Sequence, residues 1–257
     1  MKTTIATWNV NSLKVRLPQL LTWLDAHQPD VVCLQETKLE DSMFPAAAIK
    51  EVGYQPLYNG QKTYNGVAIL SRSATSGPLN AIPAFADDQK RVLAASIGEL
   101  RVVCLYVPNG QSVGSDKYRY KLDWLAAATA WLKRELACYP NLAIAGDFNI
   151  APEERDVYNP QAWENQVLFS APERAAFRSL LALGLKDSFR LFDQPERSFT
   201  WWDYRMNAFK RKMGLRIDHV LLSDALATRC RTCTIDVEPR KSERPSDHAP
   251  VVVEFDI

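Results

Sequence analysis

Several features are scarce in this sequence, and each scarcity argues against a class of protein. No apolar run is long enough to cross a membrane, and residues 1–8 contain no apolar signal core. The five cysteines are odd in number and scattered, which argues against a disulfide framework and favours a reducing, cytoplasmic setting. There are only three histidines, and none lies near His248 in sequence, so a zinc site has little support.

The net charge is also low, and two familiar kinds of motif give little support to other chemistries. Lysine and arginine number 31 against 30 acidic residues, so the net charge of +1 does not by itself favour a nucleic-acid partner. A basic strip on one face can still be balanced by acids elsewhere. No G-x-S-x-G motif supports a serine nucleophile. Cys230 and Cys233 form a lone C-x-x-C without a second pair or a histidine, which gives little support for metal or redox use.

The chain has the composition of a globular protein. Its 257 residues are 47% hydrophobic, enough to bury a sizeable core, and no repeat or linker interrupts them. We therefore expect one domain over residues 1–257. Apolar runs and helical periodicity predict helices at 15–26, 44–51, 117–137 and 172–183. The predicted strands are 3–10, 31–35, 66–71, 92–97, 101–107, 142–145, 200–204, 216–222, 232–237 and 250–255. Several strands follow one another without a helix between them, which predicts a mixed sheet or two stacked sheets.

Polar and acidic side chains recur next to the apolar strands. They are Asn9, Asn11, Glu36, Asp147, Asn149, Asp218, Asp247 and His248. A single carboxylate at a strand end is commonly a turn residue, but several from neighbouring strands can converge and then repel unless a cation or proton intervenes. Oxygen ligands suit a hard cation such as Mg²⁺ or Mn²⁺. An Asp–His combination can also orient an imidazole, as in hydrolase triads.

Seven short motifs occur in a recognisable order. They are Trp8-Asn9-Val10-Asn11, Leu34-Gln35-Glu36-Thr37-Lys38, Asn65-Gly66-Val67-Ala68, Tyr106-Val107-Pro108-Asn109-Gly110, Gly146-Asp147-Phe148-Asn149, Leu215-Arg216-Ile217-Asp218 and Pro245-Ser246-Asp247-His248-Ala249-Pro250. Together they resemble the endonuclease/exonuclease/phosphatase superfamily, and within it the exonuclease III branch. The resemblance covers residues 8–250. It implies a DNase I-like α/β fold, a four-layer sandwich in which helices flank two packed mixed β-sheets.

The resemblance also implies roles for the polar residues. Glu36 resembles the main metal ligand, and Asn9 would fix the metal shell and the carboxylate of Asp147. Asp147 matches the residue that activates the attacking water as general base, and Asn149 would donate to a phosphate oxygen. The implied metal-binding set is Glu36, Asn9, Asp147, Asn149, Asp247 and His248.

The remaining implied catalytic residues surround the phosphate. His248 resembles the imidazole that contacts it, and Asp218 would orient that imidazole. Tyr106 would contact the phosphate or the leaving group through its hydroxyl, and Asp247 would support a metal. With Asp147, Asn149 and Asn9, these form the implied catalytic set.

Substrate contacts are implied for an apolar wall and for a basic strip. Trp201, Leu215 and Ile217 align with the wall that packs on an extruded abasic sugar in the family. The alternative is that Trp201 and Trp202 are simply core aromatics. The basic strip would contact DNA phosphates through Arg91, Lys117, Lys121, Arg205, Lys210, Arg211, Lys212, Arg216 and Arg244.

The function implied is that of a Mg²⁺-dependent DNA-repair nuclease, in which Mn²⁺ can replace Mg²⁺. Its activities would be 3′→5′ exonuclease, 3′-end-cleaning phosphatase and phosphodiesterase, and abasic-site endonuclease. Its partner would be duplex DNA with abasic sites or damaged or recessed 3′ ends, and we expect a cytoplasmic monomer without membrane contact. In abasic-site cutters the region of residues 159–170 supplies polar side chains around the flipped sugar, but here it mixes polar and apolar residues, so the balance of the three activities stays open. A specialised 3′-exonuclease, a superfamily phosphatase or ribonuclease, and an inactive nucleic-acid-binding relative stay open as alternatives.

Overall fold

The computed structural model describes residues 2–257 and contains fourteen strands among them. The strands are β1 (Lys2–Asn9), β2 (Val31–Gln35), β3 (Gln55–Asn59), β4 (Val67–Ser71), β5 (Ser76–Leu79), β6 (Val92–Ile97), β7 (Leu100–Tyr106), β8 (Leu142–Asp147), β9 (Lys186–Asp187), β10 (Trp201–Trp202), β11 (Gly214–Leu215), β12 (Asp218–Leu222), β13 (Cys230–Ile235) and β14 (Val251–Asp256). The α-helices are α1 (Leu13–His27), α2 (Ala46–Glu51), α3 (Asp116–Cys138), α4 (Pro160–Trp163), α5 (Ala171–Leu181) and α6 (Asp224–Ala227). Five short 3₁₀ helices complete the described part of the chain, at Asp41–Met43, Glu154–Asp156, Ser188–Leu191, Arg205–Asn207 and Glu238–Lys241.

Two large mixed sheets and one small ribbon account for all the strands in residues 2–257. The first sheet has the order β13-β14-β1-β2-β4-β3, and the second has the order β5-β6-β7-β8-β12-β9. Within each large sheet, one pair is parallel, β1 with β2 and β7 with β8. The other pairs are antiparallel, including the β10–β11 ribbon. Parallel neighbours place their carboxyl ends at one edge, which is where the site residues lie.

The core between the sheets explains the continuous apolar runs. Side chains alternate along a strand, so in β2 the side chains of Val31 and Cys33 enter the space between the sheets. The side chains of Val32 and Leu34 point to the other face, where helices cover them. All four are fully buried. A strand buried on both faces therefore reads as uninterrupted hydrophobic sequence.

Helices cover the outer face of each sheet. Leu20 and Leu24 of α1 pack against Trp8 of the first sheet. On the second sheet, Leu132 of α3 packs with Ile144 of β8, and helix α5 adds further apolar side chains. Burying one such side chain stabilises the fold by about 1.5–3 kcal/mol. These layers are helix, sheet, sheet and helix, so the predicted four-layer α/β sandwich is confirmed.

Local sequence signals fix where the long helices begin and end. Ser115 caps α3 by accepting a hydrogen bond from the backbone N–H of Tyr118 at 3.1 Å. Ser170 and Glu173 form a reciprocal capping box at the start of α5. Helix α1 ends at His27, followed by Gln28 in the left-handed conformation with φ 46°. A side-chain cap is typically worth about 1 kcal/mol.

Within residues 2–257, none of the helices combines the length and the apolar character that spanning a bilayer requires.

Candidate active site

Side chains from both sheets meet at one edge of the sandwich. Asn9 ends β1, Glu36 follows β2 directly, and Asp147 ends β8. Asp218 begins β12 and lies opposite Asp147 in the antiparallel register of the second sheet. His248 lies shortly before β14, which pairs with β1. The carboxyl ends of β1 and β8 lie at this same edge, so five polar groups from distant parts of the chain are close together there.

Asn9 joins the two sheets through its side-chain amide. Its Nδ2 donates to Oε1 of Glu36 at 2.9 Å and to Oδ2 of Asp147 at 2.9 Å. Its Oδ1 accepts from the backbone N–H of Asn11 at 2.9 Å. Asn9 is fully buried, and its amide has no alternative partner in bulk water. It therefore sets the separation of the two carboxylates.

Glu36 occupies a conformation that L-residues seldom adopt. Its φ is 51°, in the left-handed region, which costs a residue other than glycine roughly 1–2 kcal/mol. Backbone hydrogen bonds hold it there: its carbonyl accepts from Ser12 N at 2.8 Å, and the following N–H of Thr37 donates to Gly66 O at 3.1 Å. Such strain is common at functional positions because it directs a side chain toward the site.

The charge of Glu36 is favoured by its neighbours. Burial acts to raise the pKa of the Glu36 carboxyl, but the Lys38 ammonium and the Asn9 amide outweigh it and leave that pKa below its ordinary value. Nζ of Lys38 lies 2.9 Å from Oε2 of Glu36 and donates to Oδ1 of Asn11 at 2.5 Å. Glu36 is consequently an anionic ligand that keeps part of its surface open to solvent.

Asp147 and Asn149 share a tight turn after β8. The backbone N–H of Asn149 donates to Oδ1 of Asp147 at 2.9 Å, and Nδ2 of Asn149 donates to the carbonyl of Val107 at 2.9 Å. Burial, together with the nearby carboxylates, raises the pKa of Asp147 to about 7, while His248 and Asn9 oppose the rise. A carboxylate accepts and releases a proton most readily when its pKa lies near the working pH.

His248 is oriented by Asp218. Its Nδ1 contacts Oδ2 of Asp218 at 2.9 Å, and its Nε2 lies 3.8 Å from Oδ2 of Asp147. Burial alone would lower the pKa of His248, but the Asp218 and Asp147 carboxylates raise it to about 10. The imidazole therefore carries a proton on each nitrogen at neutral pH. Asp218 is itself held by Thr200, whose Oγ1 accepts from its backbone N–H at 3.0 Å.

One group of ligand atoms in residues 2–257 is arranged to hold a metal ion. Glu36, Asp147 and His248 each offer one atom, and these atoms lie within 4.8 Å of one another. Asp247, expected to support a metal, is not part of that group. Its Oδ1 accepts from Asn11 at 2.9 Å and its Oδ2 accepts from Trp201 Nε1 at 3.0 Å. The Asp247 carboxylate thus orients the Asn11 and Trp201 side chains.

Tyr106 closes the site beside Glu36. Burial and the Glu36 carboxylate raise the pKa of the Tyr106 hydroxyl well above its usual range, so the hydroxyl remains a hydrogen-bond donor. The guanidinium of Arg91 lies over the Tyr106 ring, 4.6 Å from its centroid. Arg91 Nη1 also donates to the backbone carbonyl of Tyr106 at 3.3 Å, and its Nε donates to Gln89 at 2.9 Å. Arg91 therefore holds Tyr106 in place.

Comparison with known proteins identifies the group to which this arrangement belongs. Residues 6–248 match the endonuclease/exonuclease/phosphatase family. The chain belongs to this family. Exodeoxyribonuclease III of Haemophilus influenzae is 36% identical over 262 residues, which cover 97% of this chain and 98% of the relative. Membership in the exonuclease III branch, predicted from the motifs, is thus confirmed.

Solved structures of the same family superpose closely. A 3′ phosphatase from Neisseria, bound to a product DNA hairpin, matches with a TM-score of 0.98 and 46% identity, covering 99% of this chain and 100% of that one. An AP endonuclease from Archaeoglobus fulgidus matches with a TM-score of 0.96 and 38% identity, with the same coverage. The endonuclease/exonuclease/phosphatase fold is therefore shared over essentially the whole chain.

The predicted apolar wall needs correction. Leu215 is 0% exposed and Ile217 is 1% exposed, because both pack into a small core with Phe169. Neither can offer surface to a sugar in this structure. Trp201 differs because it keeps part of its ring accessible while pairing with Leu215 across the β10–β11 ribbon. In this family member, the two aliphatic residues support the tryptophan from behind.

Two members of the predicted basic strip lie fully in the interior, and a third, Arg91, is only 9% exposed. Lys121 is 0% exposed and pairs with Glu173. Arg216 is 1% exposed and is bonded to Asp156, with Nε–Oδ1 2.6 Å. Both predictions of a DNA contact are wrong because a buried, fully bonded cation cannot reach a phosphate. The exposed members are Lys117, Arg205, Lys210, Arg211, Lys212 and Arg244.

Three residues contribute to the site without having been assigned a role from the sequence. The Lys38 ammonium compensates the charge of the Glu36 carboxylate, and the Thr200 hydroxyl accepts a hydrogen bond from the backbone just before β12. Ser246 accepts from the backbone N–H of His248 at 3.2 Å and donates to the Asn9 carbonyl at 2.6 Å. Lys38 and Ser246 lie inside family motifs, which is the signal that could have indicated them. Thr200 lies outside the seven motifs.

Proposed function

We propose that this chain is a metal-dependent DNA-repair nuclease that breaks the bond between phosphorus and a 3′-oxygen. The observation that carries the proposal is the convergence of Asn9, Glu36, Asp147, Asn149 and the His248–Asp218 pair at one edge of the sandwich. The relatives named exodeoxyribonuclease, 3′ phosphatase and AP endonuclease support DNA as the substrate.

A single reaction accounts for the three activities. In each, water oxygen attacks phosphorus while the P–O3′ bond breaks and the 3′-oxygen takes up a proton. The products are a mononucleotide in 3′→5′ exonuclease action, inorganic phosphate in 3′-phosphatase action, and a nicked strand in abasic-site incision. The substrates differ only in what else is attached to the phosphorus. One constellation of side chains can therefore serve all three.

We propose that Glu36 holds a Mg²⁺ ion, for which Mn²⁺ can substitute, with Asn9 and Asp147 beside it. The donor set fits, because Glu36 and Asp147 offer oxygen atoms within 4.8 Å of each other and Mg²⁺ prefers oxygen ligands. The metal ion supplies Lewis-acid stabilisation of charge on the phosphate and on the leaving oxygen. His248 fits a different role, because its Nδ1 is engaged by Asp218 and its raised pKa keeps Nε2 protonated.

Four side chains would activate the water and stabilise the charge on the phosphate and the leaving oxygen. Asp147 orients the attacking water and accepts its proton, in keeping with a pKa of about 7. The Nε2–H of His248 donates to a non-bridging phosphate oxygen, where negative charge develops. Asn149 adds a second donor to the phosphate. The Tyr106 hydroxyl donates to the phosphate or to the leaving oxygen.

Binding of DNA is assigned to the surface around this edge. Lys117 lines a cavity of about 810 Å³ with Arg91 and Asn109, beside Tyr106 and Asn149. The exposed basic residues would contact phosphates without reading sequence. Arg205 is exposed but pairs with Asp203, Nη2–Oδ2 2.7 Å, so it must exchange that partner to bind DNA. We propose a single-domain, cytoplasmic monomer, consistent with five free cysteines.

A specialised 3′-end-processing enzyme is the second candidate. The 3′ phosphatase from Neisseria is 46% identical to this chain, and the AP endonuclease from Archaeoglobus is 38% identical. All three activities need the same catalytic residues, so the difference must lie in whether the site admits a flipped sugar. Trp201 and residues 159–170 would determine that.

To decide between the two candidates, the protein is incubated with Mg²⁺ and each of three duplexes: one with an abasic-site analogue, one with a 3′-phosphate, and one with a recessed 3′ end. Asp147→Ala serves as the control, and we expect its turnover to fall by about 10²–10⁴-fold. Incision at the lesion supports the broad nuclease. End processing without incision supports the specialised enzyme. No metal-dependent cleavage of any duplex overturns the proposal.

A further inference from the structure

A buried lysine lies directly behind the catalytic turn. Lys121 is on α3 and its side chain is 0% exposed. Its Nζ donates to the carbonyl of Asn149 at 2.6 Å, to the carbonyl of Asn109 at 3.1 Å and to Oε1 of Glu173 at 2.5 Å. Three acceptors surround one nitrogen. All three protons of an ammonium group are needed to satisfy them, so Lys121 is charged in this position.

Packing alone does not account for this ion pair. Helices α3 and α5 already contact each other and the sheet through apolar residues such as Leu125, Leu132 and Phe177. A hydrophobic pair is often as stable as a buried ion pair, because removing two charges from water is costly. What an apolar pair could not provide is a donor for the carbonyls of Asn109 and Asn149. Those two residues also contact each other, since Asn109 Nδ2 donates to Asn149 Oδ1 at 3.2 Å.

Glu173 extends the contact to a third segment. Its Oε1 accepts from the backbone N–H of Leu168 at 3.0 Å, and its Oε2 accepts from Ser170 N at 3.0 Å and Ser170 Oγ at 2.5 Å. Leu168 in turn accepts through its carbonyl from Ala151 N at 2.8 Å. The pair therefore ties the turn after β8, the loop after β7 and the end of residues 159–170 to one point.

The loop after β7 is shaped to admit the lysine. Gly110 has φ 94°, and a Cβ at this position would lie 3.1 Å from Cδ of Lys121 and 3.2 Å from Val167. A larger residue would be strained in that conformation and would press on the lysine stem. The backbone approaches Lys121 closely enough for the Asn109 carbonyl to reach its ammonium.

We propose that Lys121 and Glu173 are positioning residues for phosphodiester hydrolysis: they hold the Asn149 carbonyl, and through it the Asn149 side chain and Asp147, in register with the phosphate. This inference rests on the proposed nuclease function. Neither residue touches the substrate. Their effect arises because a displacement of about 1 Å in a catalytic group can cost about 10²-fold in rate.

The test compares Lys121→Met with the double variant Lys121→Met/Glu173→Gln. The single variant leaves a buried carboxylate without its cation, so it should lose stability. The double variant replaces that carboxylate with a neutral amide of nearly the same shape, so its urea midpoint should recover toward that of the wild type. We expect kcat on a 3′-phosphate duplex to stay about 30–100-fold low in both variants, with KM changed less than about 3-fold.

Lys133→Met is the matched control, because Lys133 is on the exposed face of the same helix. It should leave kcat within about 2-fold of the wild type. If kcat recovers together with stability in the double variant, the pair is purely structural and the proposal is overturned. Amide hydrogen exchange of Ala151 supplies a readout without turnover: it should accelerate in both Lys121 variants and not in Lys133→Met. If the wild type cleaves no duplex but Ala151 exchange still accelerates in both Lys121 variants, the nuclease proposal fails while the link that Lys121 and Glu173 make between the three segments stands. If Ala151 exchange is the same in these variants as in the wild type, that link itself is overturned.

Discussion

Nδ1 of His248 meets Oδ2 of Asp218 at 2.9 Å, and this contact directs the opposite ring nitrogen toward Asp147. The two residues come from different sheets. Asp218 begins β12 in the second sheet, and His248 precedes β14 in the first. The contact therefore fixes both the proton position on the imidazole and the distance between two layers of the fold.

Asp218→Asn should remove the charge that holds the imidazole proton. We expect kcat to fall by about 10²–10⁴-fold, as when an orienting carboxylate is lost from a hydrolytic triad. The carboxylates raise the pKa of His248 to about 10, so the wild-type imidazolium persists until the pH rises through that value. Without Asp218 that pKa falls, and the alkaline limb of kcat/KM should move to lower pH. An unmoved alkaline limb would show that His248 is not the group that titrates there.

Metal binding should depend on Glu36 and not on Asp247. Addition of Mg²⁺ after chelation should raise the free energy of unfolding of the wild type by about 1–3 kcal/mol, depending on the ratio of concentration to Kd. Glu36→Gln should abolish this rise. Asp247→Asn should preserve it, because Asp247 is not among the three residues whose ligand atoms lie within 4.8 Å of one another. Urea unfolding with and without Mg²⁺ measures this rise in each variant. If Asp247→Asn lost the rise as completely as Glu36→Gln, Asp247 would also be needed to bind the metal ion.

The buried network around Arg216 should be required for stability. Arg216 contacts Asp156, Nε–Oδ1 2.6 Å, and Asp187, Nη2–Oδ2 2.8 Å. Asp156→Asn leaves a buried cation partly uncompensated, so we expect a loss of about 3–5 kcal/mol in the free energy of unfolding. Asp203→Asn is the control, since its pair with Arg205 is exposed and should contribute little. If the two variants lost similar amounts of unfolding free energy, burial would not explain the contribution of the Arg216 network.

His219 should make the protein sensitive to mild acid. Nη1 of Arg216 donates to its Nδ1 at 3.0 Å, and its Nε2 donates to the Ile150 carbonyl at 2.9 Å, so the buried ring is neutral. Burial and Arg216 lower its pKa to about 4. The unfolded chain has the ordinary pKa near 6.5 and binds the proton first, so stability present above that value falls as the pH drops toward 4.

The size of this effect follows from linkage. Between pH 7 and 5 the contribution of His219 is about 2 kcal/mol, at about 1.4 kcal/mol per pH unit below the unfolded pKa. His219→Gln keeps an acceptor and a donor but does not titrate. Its unfolding free energy should therefore fall less than that of the wild type over the same interval, measured by urea at both pH values. Parallel pH dependence in the two proteins would exclude His219 as the cause.

Gly146→Ala should disturb the catalytic edge from within the second sheet. A Cβ at Gly146 would collide with the backbone carbonyl of Leu105 on the neighbouring strand β7. Strand β8 would have to move away and carry Asp147 with it. We expect a loss of about 1–3 kcal/mol or more in stability and a marked loss of kcat. Gly98→Ala is the control because nothing lies within 4 Å of its Cβ, although φ is 57° there. It should leave kcat unchanged.

The buried strands and the polar groups at their ends could be predicted from the sequence. Val31–Gln35 and Val92–Ile97 have the predicted bounds, because strands buried on both faces have an uninterrupted apolar signal. The edge strands β3 and β5 were missed. Each contains a proline, Pro56 or Pro78, and proline is tolerated at a sheet edge where an N–H faces solvent. Their sequences therefore read as loops.

The buried charges were harder to predict. Lys121 and Arg216 look like surface cations in one dimension, since burial of a cation depends on partners distant in sequence. Glu173 lies 52 residues from Lys121, and Asp156 lies 60 residues from Arg216. A local signal did exist for Lys121: it falls on the buried stripe of α3 that includes Tyr118, Trp124 and Leu125.

Strand β1 lies between β2 and β14 in the first sheet, and Lys2 pairs with Asp256. A ribosome that makes this protein therefore releases the first central strand long before the last one exists. Asn9 and Glu36 emerge early, but His248 and the strand that fixes its position follow more than 200 residues later. A nascent chain that has not yet reached β14 cannot bring His248 to Asn9 and Glu36. The candidate site is therefore assembled only after β14 has joined the sheet beside β1.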